Sequence, residues 1–132
     1  MFARFPLTLR RVFLIDAATC LAMGALLALA SGPIAALTAI PAALLFFAGL
    51  GLIPISAAMA VTALRPATAL VWLMILGNAG WVAASVLLLV TGWIAPNVPG
   101  VLLILAQTAA VVILALAEHT ALRGVQTAPR LA

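Results

Sequence analysis

Charge is what this sequence lacks most: of 132 residues six are arginine, two are acidic and none is lysine. An ordinary soluble domain carries roughly 25% charged residues; here charged residues make up 6%, against 68% hydrophobic residues and a mean hydropathy of +1.41. So small a polar inventory cannot cover a water-facing surface without leaving large apolar patches, which excludes a soluble fold and makes lipid the solvent for most of the chain. The same scarcity removes chemistries. The single cysteine, Cys20, rules out an intrachain disulfide and any CxxC motif. The one histidine, His119, is too few for a zinc site or a doubly ligated haem unless subunits share one. No Gly-rich phosphate loop is present, and no Ser-His-Asp set can be assembled at one membrane depth. Catalytic, cofactor and metal sites are therefore not expected. The net charge of +4 and pI near 11.7 would suggest nucleic acid in a soluble chain. The arginines form no cluster interleaved with aromatics, so no nucleic-acid partner is expected and they read as topology signals.

What is present is two long uncharged runs. Positions 17–64 and 66–117, 48 and 52 residues, contain no Asp, Glu, Lys or Arg. About 20 apolar residues span the hydrocarbon core, so each run holds two spans and a turn. Turn signals fall at Ser31-Gly32-Pro33 and from Thr91 to Gly100. The spacing predicts one domain over 1–132, an all-α integral membrane four-helix bundle with antiparallel helices at about 9–30, 41–64, 67–90 and 101–122. Pro41, Pro66 and Pro99-Gly100 suit helix starts. The apolar stretch from Ile34 to Ile40 reads as a short helix or turn in the outer interface. Arg4, Arg10 and Arg11 precede the first helix, Arg65 lies between the second and third, and Arg123 and Arg130 follow the fourth. By the positive-inside rule both termini are cytoplasmic, with Trp93 at the outer interface. The all-arginine, Ala-rich composition suits a GC-rich bacterial genome and the bacterial inner membrane. Arg10-Arg11, an apolar stretch and Ala28-Leu29-Ala30 imitate a signal peptide, but Asp16 within the apolar region argues against cleavage. Ser31-Gly32-Pro33-Ile34-Ala35 and Thr91-Gly92-Trp93-Ile94-Ala95 lie 60 residues apart, a hint of two repeated helical hairpins.

The few polar groups within the spans are the candidate sites, because such groups cost free energy in lipid and usually face the bundle or a wet cavity. Asn78 falls roughly 16 Å into the third span, at the midplane. Trp81 and Ser85 follow on its face at i+3 and i+7, with Gly77 and Gly80 open to the approach of another backbone. Gln107 and Glu118 share a face of the fourth span, with Leu114 between them. For all of these, helix–helix hydrogen bonding is the commoner use and a substrate-facing path the rarer one. Gly49, Gly51 and Pro54 predict a kink or local unwinding in the second span, which in transporters marks ion sites. Counted from Arg11 and Arg123, Asp16 and Glu118 lie at one shallow level near the inner interface. Either Arg10, Arg11, Arg65 and Arg123 neutralise them as an ionic belt, or the two carboxylates face each other and share a proton or bind a cation.

An Asp early in the first helix, Pro41 opening the second with Gly49 after it, Asn78-x-x-Trp81 in the third and Gln107 in the fourth together resemble small four-helix bacterial integral membrane proteins of unknown function. The resemblance covers about Arg10 to Leu122 and implies a four-helix fold without an activity. Small multidrug transporters share only a carboxylate in helix one, Asp16, and their surrounding aromatics are missing here.

The function expected first is non-enzymatic: an accessory, scaffold or assembly subunit whose partners are the lipid bilayer, other membrane proteins or copies of itself. The i+4 pairs Gly24 with Ala28 and Gly80 with Ala84 permit the close helix contacts this needs. The alternative is a small oligomeric transporter or channel using Asn78, Gln107 and the Asp16/Glu118 pair.

Overall fold

The computed structural model describes residues 7–127 as five helices: α1 (Leu7–Leu29), α2 (Ser31–Thr38), α3 (Ala42–Leu64), α4 (Thr68–Thr91) and α5 (Val98–Thr127). Arg4 and Arg130 lie outside the described residues. Among the described residues there is no strand, and four helices, all but α2, are long and apolar enough to cross a membrane.

The helix ends differ from their expected positions where caps decide them. Ser31-Gly32-Pro33, read as a turn, opens α2 instead: Pro33 is its third residue, where a missing N–H costs no intrahelical bond. The helix then stops at Thr38, because Ala39 is left-handed with φ 56° and its N–H returns to the Ala35 carbonyl. Likewise α5 begins at Val98, ahead of Pro99-Gly100. Asn97 caps it, its Oδ1 accepting from the Gly100 N–H at 3.0 Å. The two copies of the suspected repeat have unlike structures. The first opens α2, whereas the second closes α4 at Gly92, φ 71°, and runs into an irregular connection in which Trp93 is 80% exposed.

Packing is uneven. The most extensive contact is between α1 and α3, followed by α4 with α5; α1 also meets α5, while α3 and α4, although joined by a three-residue connection, scarcely touch. Glycine explains the first pair. A Cβ on Gly49 would stand 2.6 Å from both the Ala28 nitrogen and the Gly24 oxygen, so the two backbones meet where only hydrogen fits. Ser56 adds a bond across the same interface, its Oγ donating to the Ala17 carbonyl at 2.7 Å. At the other end of this interface Phe13, Met59 and Leu122 are each 1% exposed, packed with Val71 from α4. The short α2 lies against α1, α3 and α5. Asn97 fastens it there: its side-chain amide donates to the Leu37 carbonyl and its backbone N–H to that of Thr38.

Candidate functional site

Three helices each deliver one polar side chain to a common level. Asp16 is nine residues from the start of α1, Asn78 ten from the start of α4, and Glu118 nine from the end of α5. At 1.5 Å per residue, all three are about 14 Å from those helix ends. They are 1%, 7% and 0% exposed. The Asn78 carboxamide donates to both acids, at 3.1 Å to Asp16 Oδ2 and 3.2 Å to Glu118 Oε2. A carboxamide has two N–H groups, and here each serves one carboxyl group. Cys20, one turn beyond Asp16, donates its S–H to Asp16 Oδ1 at 3.5 Å. Glu118 Oε1 is buried with no donor.

This corrects two expectations. Asn78 at the midplane and the acids near the interface were read as different depths. They form one layer, because α1 starts before Arg10 and α5 runs four residues beyond Arg123. Nor is the expected ionic belt what bonds the acids among the described residues: Arg10, Arg11, Arg65 and Arg123 are exposed, and the hydrogen bonds to Asp16 and Glu118 come from Asn78 and Cys20.

Trp81, Ser85 and Gln107 make a second layer, one to two turns along α4. The indole N–H donates to Gln107 Oε1 at 2.8 Å, the Gln107 amide donates to Ser85 Oγ at 3.2 Å, and that hydroxyl donates to the Trp81 carbonyl at 2.9 Å. The shared face of Asn78, Trp81 and Ser85 is thus turned inward and its polar groups are paired. Gly77 and Gly80 do not receive a backbone; a Cβ on either would have no atom within 4 Å.

Two cavities flank this second layer, both bordered by Met23, Trp81 and Gln107. One, of about 240 Å³, is apolar, walled by Leu27, Ile40, Leu44 and Leu103 with Ser85 as a further polar group. The other, of about 250 Å³, is also mainly apolar but is the one with an acid: Asp16 and Asn78 border it, together with Cys20, Met59 and Met74. Residues from α1, α3, α4 and α5 line each of them. Neither Cys20 nor the methionines are among the candidate site residues of the sequence. The i+4 spacing from Asp16 to Cys20 was the one available signal, since it places both on one helix face.

The residues expected to break the second span do other work. α3 is an unbroken helix across Pro54, which is exposed. Gly49 makes the contact with Gly24, and Gly51 faces open space. The His119 ring meets Trp72 edge-on, centroids 5.7 Å apart. No protein-family model, curated protein or solved structure matches the chain.

Proposed function

We propose that this chain is a small carrier or channel of the bacterial inner membrane, in which Asp16, Asn78 and Glu118 hold a proton or a monovalent cation between the helices. The observation that carries the reading is the Asn78 amide bonded to both carboxylates beside a cavity that Asp16 borders. Magnitudes separate it from structural glue. A carboxylate at the centre of a membrane helix costs about 2.5–3.5 kcal/mol on insertion scales, and this layer has two. An interhelical polar hydrogen bond in a membrane returns about 0.6 kcal/mol on average and under about 2 at best. Two such bonds do not offset two carboxylates, whereas a proton or cation at the orphaned Glu118 oxygen does. Glue alone would be served by amides, as in the Trp81–Gln107–Ser85 layer.

The helices are arranged antiparallel in this reading, supported by Gly24 meeting Gly49 while Ala17 meets Ser56. Both termini are cytoplasmic, on the side of the arginines. The scaffold reading loses part of its basis, because the Gly24–Ala28 face is occupied by Gly49 of the same chain and only the Gly80–Ala84 face of α4 stays open for a second copy or another membrane protein. The test is flux into proteoliposomes under an imposed gradient of H⁺, Na⁺, K⁺ or Ag⁺. Wild type conducts at least one of them, and Asp16→Asn or Glu118→Gln lowers that flux tenfold or more. Folded wild-type protein that moves none of the four sinks the proposal.

A further inference from the structure

We infer that the cavity bordered by Asp16 takes a soft monovalent cation of the Cu(I) or Ag(I) class, bound by the sulfur atoms of Cys20 and Met59. The inference deepens the carrier reading by naming its cargo, and rests on that reading for transport but not for binding. The only cysteine of the chain and every methionine among the described residues, Met23, Met59 and Met74, border this one cavity, arriving from α1, α3 and α4. Thiolate and thioether donors select d¹⁰ monovalent ions, while the hard cations Mg²⁺ and Ca²⁺ demand six or more oxygens that this cavity does not offer. Cys20 Sγ and Met59 Sδ are 4.0 Å apart. Two sulfurs each about 2.3 Å from one ion stand about 4 Å apart at a trigonal angle, so the pair suits a three-coordinate ion whose third donor is Met23 or Met74 of the same lining.

The ion needs the thiolate, and the site has somewhere to put the proton. On binding, the S–H bond of Cys20 breaks, a sulfur–metal bond forms, and the proton passes along the existing hydrogen bond to Asp16 Oδ1. The thiolate neutralises the bound cation and Asp16 becomes a neutral acid, with no change of oxidation state. Behind Asp16 the undonated Glu118 Oε1, fully buried, gives the proton a second acceptor. Among the described residues, the ionisable groups facing the ion are therefore Asp16 and Cys20 of α1, with Glu118 of α5 behind Asn78; α3 and α4 present none.

The experiment titrates the full chain in detergent with Ag(I), which needs no reductant, reading stoichiometry by native mass spectrometry and sulfur ligation by X-ray absorption. One Ag(I) per chain with two or more sulfur ligands is expected, and Cys20→Ser and Met59→Leu each weaken binding at least tenfold while helical circular dichroism is retained. The near-isosteric Met59→Leu keeps the test valid should Cys20→Ser fold poorly. Absence of binding to folded wild type, or equal binding by both variants, overturns the site. Proton or alkali-cation flux without Ag(I) binding overturns it too and leaves the carrier reading standing. Ag(I) binding without any flux supports the site and counts against the carrier.

Discussion

Asn78 and Asp16 occupy one hydrogen bond yet are expected to respond to substitution in opposite ways. Asn78→Ala removes the donor to two buried acceptors, each of which is then left unsatisfied at about 1–3 kcal/mol. Its melting temperature in detergent falls clearly below wild type. Asp16→Asn removes one of two like charges and can still bond to Asn78, so its melting temperature is unchanged or higher while flux is lost. A lower melting temperature for Asp16→Asn than for Asn78→Ala contradicts this account. Asp16, Asn78 and Glu118 were each legible as candidates because polar groups in apolar runs are conspicuous. Their convergence was not, since spacing sets which residues share a face of one helix but not how neighbouring helices are rotated. Met59 and Met74 illustrate the same gap: in an Ala/Leu/Val background a thioether reads as ordinary core until the cavity is seen.

Helices α1 and α3 owe their close contact to two hydrogens. Gly49→Ala puts a methyl 2.6 Å from backbone atoms that cannot turn aside, so the helices must separate, at a cost of about 1–3 kcal/mol. Gly80→Ala, on open space, gains the helix preference of alanine instead, about 1 kcal/mol. Thermal unfolding of the two variants is expected to move to opposite sides of wild type; a shift in the same direction would undo the argument. The existence of the four long helices was readable from uncharged runs of 48 and 52 residues, because length and apolarity suffice for a span. The ends of α1, α3 and α4 were readable to within two residues, whereas α5 overruns its expected 101–122 because Pro99 sits inside its first turn and Asn97 caps it through a side chain that also reaches α2.

Across the whole molecule, orientation can be read by chemistry from outside. In a Cys20→Ala background, Arg65→Cys and Trp93→Cys place thiols in the α3–α4 and α4–α5 connections, both exposed. A membrane-impermeant maleimide added to intact cells is expected to label the second and spare the first; the reverse pattern inverts the proposed topology. The acid–amide layer also imposes an order in time. Asp16 leaves the ribosome 62 residues before Asn78 and 102 before Glu118. At about 5–20 residues per second, Asp16 waits roughly 3 to 12 s for its amide. During that interval its carboxylate either stays in the insertion machinery or enters lipid with only the weak Cys20 thiol as a donor, while α1 and α3 can already pair through Gly24 and Gly49. A chain truncated before α4 is thus marked as incomplete by an acid that lacks its amide, the sort of defect that membrane proteases and chaperones are placed to detect.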